Sequence, residues 1–420
     1  MENITLTPHQ QEGLNKLLEA YQQRQRTKTW SALLEGYAGV GKTTLMRALI
    51  SELLRLSPQL NIMVTAPTHK ALNILREKIP NENGKIIFKT IHSALGLRLN
   101  DEEEMEEGER VTLKNAGFVI IDEASMLDRW LYAKIKKERY HAFVLFSGDR
   151  FQLSPVTKQQ ESYISPAFED MEGKVHVVLS EPIRQARDNP IIELSIAIRQ
   201  AEEQGKRFDL SVIKHYIDNT DEINVLGPEE AVAMSMAEPE KNRIVAWTNE
   251  RVRYYNTSVH RGIYFASPYI FEVGERIVFT KPFRYYIPQI DGYRVISIGE
   301  EYEVEAVSDY NDRTLPLLTI ELAGKKFLCP QDPYGFQKRF FDSWNSVKDE
   351  EAREFLRKLK QTVVFISHTY ASTSHKSQGS TYDNVLIDIK DIKKMPQRAD
   401  FNRALYVAVT RARYKVYFVR

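Results

Sequence analysis

The sequence predicts an α/β protein with two parallel-sheet domains, a small β-hairpin inserted in the first and a β-rich insertion with a helical return in the second. Three features of the chain point there. Short β-branched runs alternate with helical stretches in both halves, as strands and crossover helices of a parallel sheet do. A glycine-rich turn, EGYAGVGKTT (35–44), joins one such run to an amphipathic helix. Residues 270–360 change texture, to alternating apolar and polar positions broken by glycine turns.

In order along the chain, SALLEG (31–36) reads as a strand and TLMRALISELLRL (44–56) as the helix that follows the turn. NIMVTA (61–66), GFVIID (117–122), AFVLFSG (142–148) and VHVVLS (175–180) complete a first set of strands. Between them, LGLRL (95–99) and RVTL (110–113) flank DEEEMEEGE (101–109), in which seven of nine residues are acidic. That run reads as a solvated turn at the tip of a hairpin, and clustered carboxylates would repel a phosphate backbone. NRIVAW (242–247), TVVFI (362–366), DNVLI (383–387) and YKVYFV (414–419) form a second parallel set. Within the insertion, IFEVGERIVFTKPF (270–283), YRVISIGEEYEVEAVSD (293–309) and LLTIELAGKKFLC (317–329) read as antiparallel strands, and SVKDEEAREFLRKLKQ (346–361) as a polar helix.

Gly36, Gly41, Lys42 and Thr43 fit G-x-x-x-x-G-K-[ST], in a strand–loop–helix context that suits a phosphate-binding loop. Backbone N–H groups of Gly36, Ala38, Gly39, Val40 and Gly41 would crowd round nucleotide phosphates, Lys42 would reach the β- and γ-phosphates, and Thr43, beside Thr44, would hold Mg²⁺. In IIDEAS (120–125), Asp122 and Glu123 end an apolar strand, where one carboxylate can hold the metal and the other polarise a water. Kinases, GTPases, motors and switches share such a loop. The absence of a guanine-reading N-K-x-D segment disfavours a GTPase.

The 420 residues suffice for two or more domains, and 58 Lys+Arg against 57 Asp+Glu give a net charge of +1. Any nucleic-acid groove is therefore a local basic patch. Cys329 is the sole cysteine, which excludes an intrachain disulfide and a multi-thiolate metal site. With no secretory signal and no run of about 18 apolar residues, an intracellular, cytoplasmic protein without membrane association is expected.

Nine stretches in order carry a family resemblance: GYAGVGKTT, APTHKA (66–71), TIHSALG (90–96), IIDEAS, GDRFQLSPV (148–156), LSEPIRQ (179–185), AWTNERV (246–252), STSHKSQGST (372–381) and LYVAVTRAR (405–413). Together they resemble the motif set of superfamily 1 helicases, and TSHKSQG before YVAVTRAR resembles the RecD-like branch, with its Dda-like group. The resemblance spans residues 6 to 420.

The resemblance implies two RecA-like domains with ATP hydrolysed in the cleft between them. The first comprises residues 1–96 and 114–178, and the second residues 179–269 and 361–420. Residues 97–113 would form a strand-separating pin, and 270–360 an SH3-like barrel with its helical return. Gln10 is similar to the glutamine that reads adenine, with Gln11 as its alternative register. Gln152 would link the γ-phosphate to the DNA track, while Arg184 and Arg411 would neutralise charge on the transferred phosphoryl group, beside Gln378 and Gly379. Thr68, His69, Thr90, His92, Asn249, Ser374, His375 and Lys376 would contact nucleic acid, offering the donors that phosphate oxygens require. KPFRYYIPQIDGYR (281–294) mixes cations with aromatics as a stacking patch would, or as a barrel edge would.

Two departures from the family stand out. Residues 97–113 contain no aromatic side chain to stack on a parting base pair, and seven residues follow Arg413, so no appended regulatory domain is expected. The implied activity is an ATP- and Mg²⁺-dependent DNA helicase moving 5′→3′ on single strands. Tailed or forked duplex is its expected substrate, single-strand-binding or replication and recombination proteins are expected partners, and the chain is expected to be monomeric. The alternatives are a translocase that strips proteins or acts on RNA with little unwinding, and a nonenzymatic ATP-gated binding subunit.

Overall fold

The computed structural model describes residues 5–37, 39–81, 84–99, 105–108, 110–154, 163–181, 189–287, 292–310, 316–333, 335–336, 354 and 362–420. They fall into two compact units, Met1–Val225 with Ser377–Phe418 (unit 1) and Leu226–Lys376 with Val419–Arg420 (unit 2).

Unit 1 opens with helix Pro8–Thr27, started by a capping box in which Thr7 and Gln10 exchange side-chain and backbone bonds. Its Tyr21 meets Phe118 and Phe143 edge-on, at 5.4 and 5.8 Å between ring centres. Those two phenylalanines open neighbouring strands of a six-stranded parallel sheet. The sheet contains β1 (Ser31–Gly36), β2 (Ile62–Ala66) and β3 (Ile86–Thr90). After the short pair β4 (Leu97–Leu99) and β5 (Met105–Glu107), it gains β6 (Phe118–Ile121), β7 (Phe143–Gly148) and β8 (Lys174–Leu179).

The spatial order is β3-β2-β6-β7-β1-β8. Strands β2, β6 and β7 are buried along their whole length, which is why their sequences read as continuous apolar runs and not as alternation. Edge strand β8 is half exposed. Strand β3 was not among the expected strands: in IIFKT only the two ends, Ile86 and Thr90, are buried and the three residues between them are exposed or half-exposed. Strands β4 and β5 pair antiparallel, Leu97 opposite Glu107, so LGLRL does enter a hairpin; RVTL instead leads into a short 3-10 turn. Residues 101–104 and 109 of the acidic run, and Asn100 before it, lie outside the described residues. Strand β9 (Ile223–Leu226) ends at the unit boundary.

Unit 2 contains β10 (Asn242–Ala246), helix Asn249–Ile263 and an antiparallel sheet. Its strands are β11 (Arg276–Phe279), the hairpin β12 (Phe283–Ile287) and β13 (Gly292–Ile296), then β14 (Glu301–Tyr310), β15 (Leu317–Leu322), β16 (Lys325–Pro330), β17 (Ile366–His368) and β18 (Ala371–Thr373). The five-stranded sheet runs β16-β15-β14-β11-β17, whereas β18 pairs parallel with β10. Ala323 and Gly324 turn the β15–β16 hairpin with φ of 48° and 70°, the two successive left-handed residues of a tight hairpin turn.

Phe271, Phe279, Val304, Leu318, Ile320, Phe327 and Cys329 fill the core beneath this sheet. The TVVFI stretch corrects the sequence expectation. Val363 forms an isolated parallel bridge with Leu328, whose carbonyl accepts the Val364 N–H, and Ile366 pairs antiparallel with Phe279, so the run is joined to the sheet of the insertion and not to the parallel set of β10. An apolar run five residues long is buried equally well in either kind of sheet, so its composition could not decide. The predicted helix at 346–361 lies outside the described residues except for Glu354.

Where helix Asn249–Ile263 meets the antiparallel sheet, Glu275 is buried among donors. Nδ1 of His260 (3.1 Å), Nδ1 of His368 (2.8 Å) and the Tyr370 hydroxyl (2.8 Å) all reach its Oε1. The Glu272 N–H reaches Oε2 at 3.0 Å. His260 Nε2 faces the Tyr269 carbonyl at 3.1 Å, so both ring nitrogens face acceptors and the ring satisfies both only as imidazolium. Beyond unit 2 the chain adds β19 (Tyr382–Asp388), helix Arg398–Val409 and β20 (Ala412–Val419). Within unit 1, β19, β20 and β9 lie side by side.

Candidate active site

The site gathers at the carboxyl ends of β6, β7 and β1, three adjacent strands of the first sheet. Ligands of open parallel sheets bind at such ends, because the loops there can diverge from the sheet. Gly39 and Gly41 take φ of 84° and 80°, and Gly41 caps helix Lys42–Leu56, so backbone N–H groups of its first turn point into the loop. A Cβ on Gly36 would sit 2.8 Å from the Leu179 carbonyl and 2.7 Å from Val40 Cγ2, so only glycine fits. Lys42 Nζ donates to the carbonyls of Gly36 (2.5 Å) and Tyr37 (3.2 Å), across the loop mouth. Val40, Thr43 and Thr44 occupy the loop and the first turn; Ala38 lies outside the described residues.

Gln10 and Gln11 differ in their surroundings. Gln10 is buried and its Nε2 donates to the Val40 carbonyl at 3.0 Å, whereas Gln11 is exposed and bonds Asn15. At the end of β6, Asp122 Oδ1 accepts the Ser147 hydroxyl at 2.8 Å. Glu123 has φ of 51°, a left-handed conformation that costs a side-chain-bearing residue about 1 kcal/mol or more. Burial, then the charges of Asp122 and Asp149, push its carboxyl up to about 7, against the opposing pull of Arg411 and Lys42.

Gln378 and Gly379 reach the same place. Gly379 takes φ of 70°, and a Cβ there would lie 3.8 Å from Glu123 Oε1. Gln378 Nε2 approaches the Leu153 carbonyl at 3.5 Å. Gln152 is buried, and its Oε1 has no hydrogen-bond partner among the described residues. Arg411 is buried and donates to the carbonyls of Val407 and Ser380, both at 3.1 Å. Arg184 lies outside the described residues.

The nucleic-acid candidates of unit 1 lie at the ends of two of the other three strands of the sheet, β2 and β3. Ala66 pairs with Thr90, which sets Thr68 and His69 after β2 beside Thr90 and His92 after β3. Thr68 and Thr90 cap the following helices, each accepting a backbone N–H at 3.2 Å. A hydroxyl so used keeps its own hydrogen to donate. Burial lowers the pKa of His92, whose ring bonds the Pro67 carbonyl. In unit 2, Asn249 starts the helix after β10, while Ser374, His375 and Lys376 follow its parallel neighbour β18. The Ser374 N–H bonds the Ala246 carbonyl, and burial lowers the Lys376 pKa.

Several residues at the site carried no separate sequence signal. Glu35, the penultimate residue of β1, has Arg150 Nε at 2.7 Å, off the hydrogen-bond line, and His176 Nε2 at 2.9 Å. These three line a cavity with Tyr37, Phe151 and Arg199, whose guanidinium lies over both aromatic rings. Asp149 and Tyr406 belonged to quoted motifs, yet nothing in their spacing assigned them a role, and Arg403 lay outside every quoted motif.

Residues 6–223 match the AAA domain family and residues 368–419 the UvrD-like helicase C-terminal domain. The chain is 28% identical over 456 residues to the ATP-dependent DNA helicase Dda of Enterobacteria phage T4, covering 99% of each protein. It is 24% identical over 426 residues to the ATP-dependent DNA helicase Pif1 of Campylobacter jejuni, covering 91% of this chain and 86% of that one. Among solved structures, Bacteroides Pif1 with ADP-AlF3 and single-stranded DNA has a TM-score of 0.55 at 18% identity, covering 99% of this chain and 92% of that one. Candida albicans Pif1 gives 0.55 at 17% identity, covering 99% and 94%. Those likenesses establish the fold, two RecA-like parallel-sheet domains. The chain belongs to the AAA domain family, and across its full length it is similar to superfamily 1 helicases of the Dda and Pif1 kind.

Proposed function

We propose that this protein is an ATP-dependent DNA helicase of the RecD-like branch that translocates 5′→3′ on single-stranded DNA and opens tailed or forked duplex. One observation supports it above the rest: Glu123, its carboxyl raised to about 7, sits under the fields of Asp122, Lys42 and Arg411 at the phosphate loop. A site for binding alone has no use for a base near neutrality beside two cations. Lys42 would exchange the Gly36 and Tyr37 carbonyls for phosphate oxygens, and Glu123 would take a proton from the attacking water. Arg411, with Arg184, would meet charge developing on the γ-phosphoryl group, and Gln152, Gln378 and Gly379 would sense the same phosphates. Gln10 would face the adenine from its place against Val40.

The hard oxygen donors Thr43 and Asp122 fit Mg²⁺, with Asp122 oriented by Ser147. The ion would supply charge neutralisation between phosphate oxygens. Thr68, His69, Thr90 and His92, and in the second domain Asn249, Ser374, His375 and Lys376, would track the strand. Relatives named as DNA helicases, one of them solved with single-stranded DNA, support that assignment.

The domain division follows the family: 1–96 with 114–178 and 179–269 with 361–420 as motor domains, 97–113 as the pin and 270–360 as an SH3-like barrel. The enzyme would work as a cytoplasmic monomer beside replication, repair or single-strand-binding proteins. A second reading, a translocase with little unwinding, rests on the absence of any aromatic residue in 97–113.

The test is ATP turnover with and without single-stranded DNA. We expect strong stimulation by the DNA. Lys42→Ala should lower turnover at least a hundredfold, because one charge stabiliser of the transition state is lost, while leaving nucleotide-free DNA binding within a few-fold. Turnover indifferent to any nucleic acid would reject the proposal.

A further inference from the structure

The loop Asp149–Ser154, which follows β7 and carries Gln152, is fastened on two sides. Towards β1, Arg150 pairs with Glu35. On the other side it meets helix Arg398–Val409. Asp149 Oδ2 accepts the Tyr406 hydroxyl at 2.5 Å, its Oδ1 accepts the Phe151 N–H at 3.0 Å, and the Ser154 hydroxyl accepts Arg403 Nη1 at 2.5 Å. Asp149 and Tyr406 are each only 2% exposed, so the contact lies away from water, where a charge-assisted bond is short and strong.

Arg403 and Tyr406 stand one helical turn apart and present neighbouring side chains to the loop. Two residues beyond that helix lies Arg411, whose guanidinium is held by the carbonyls of Val407 and Ser380. The same Asp149 contributes to the field on Glu123. A single packed unit thus carries the γ-phosphate glutamine, the arginine and the water-polarising carboxylate.

Resting on the proposed ATPase reading, we propose that Tyr406 and Arg403 are positioning residues for ATP hydrolysis. The pairs Tyr406–Asp149 and Arg403–Ser154 clamp the arginine-bearing helix to the Gln152 loop and so fix the spacing of Arg411, Gln152 and Glu123. Their contribution is geometric, and misplacing a reacting group by about 1 Å costs roughly a hundredfold in rate.

The experiment uses the full chain carrying Tyr406→Phe, which deletes one buried oxygen and keeps the ring. The quantities are kcat and KM for ATP with saturating single-stranded DNA, the affinity for a nonhydrolysable ATP analogue, and Tm. Ser154→Ala, at a partly exposed position, tests the other pair independently. Tyr406→Phe should lower kcat about ten- to a hundredfold, with KM, analogue affinity and Tm near those of the wild type, and Ser154→Ala should do the same to a smaller degree. On an Asp149→Asn background the added loss from Tyr406→Phe should shrink, because the two act through one contact.

An unchanged kcat in both variants overturns the proposal. So does a fall in kcat that tracks Tm and analogue affinity, or full additivity with Asp149→Asn. Wild-type turnover unaffected by single-stranded DNA would instead fault the helicase reading, and the variant comparison could still be made on basal turnover.

Discussion

Glu123 brings backbone strain and charge together in one residue. Its backbone is left-handed at the end of β6, and burial and the charge of Asp122 raise its pKa to about 7. Proton abstraction requires the ionised form, so kcat/KM for ATP, which reports the free enzyme, should climb as pH rises through about 7 and level off above it. Glu123→Gln should remove that limb along with most of the activity; a flat profile in the wild type from pH 6 to 8 would show that Glu123 is not the titrating base. Lys42, Thr43, Asp122 and Glu123 were legible in the sequence because phosphate chemistry demands those residue types at fixed places around a strand and a loop. Asp149 and Tyr406 were not, since 257 residues separate them and only the folded chain brings the hydroxyl to the carboxylate. Gln10 lay between: the sequence left two registers open, and of the two glutamines it is Gln10 that is buried against Val40 in the phosphate loop.

The His260–Glu275–His368–Tyr370 cluster ties helix Asn249–Ile263 to strands β11 and β17, and its stability should depend on pH in both directions. Burial opposes the His260 charge, but the hydrogen bond and charge of Glu275, the Tyr269 carbonyl and the charge of Glu272 outweigh it and raise the pKa above the ordinary 6.5. A raised pKa means that the contribution is complete below about 6.5 and fades as pH rises through the folded value. Burial likewise opposes ionised Glu275, yet bonds from His260 and His368 pull it down from 4.5 to about 2, so its contribution is complete above 4.5 and fades towards pH 2. The added stability should therefore peak between about pH 4.5 and 6.5. Glu275→Gln should cost about 3 kcal/mol in that window, as breaking a buried charged network does, and less at pH 9. A Tm difference independent of pH would contradict it. At this scale the sequence was readable where strands were long and apolar, as in β2, β6 and β7. It misled where a short run such as TVVFI could pair in two ways, and where an edge strand such as β3 had little to bury.

Across the whole molecule, catalysis and strand contact divide the first sheet by strand order. Strands β6, β7 and β1 end at the nucleotide machinery, and β2 and β3 end at the donors proposed for DNA. Strand β2 hydrogen-bonds directly to β6, so the two groups of loops share one rigid platform. Motif order announced both groups, but only the spatial order β3-β2-β6-β7-β1-β8 shows them to be adjacent, because sequence order and sheet order differ in a parallel fold. The acidic run at 101–109 carries seven carboxylates, and 97–113 holds no aromatic residue, so duplex opening is the step that this chemistry favours least. The decisive measurement is ATP-driven opening of two matched duplexes, one with a 5′ single-stranded tail and one with a 3′ tail, with Lys42→Ala as control. The proposed helicase opens the 5′-tailed duplex and leaves the 3′-tailed one closed. Opening of the 3′-tailed duplex, or of neither while single strands still stimulate ATP turnover, would contradict it.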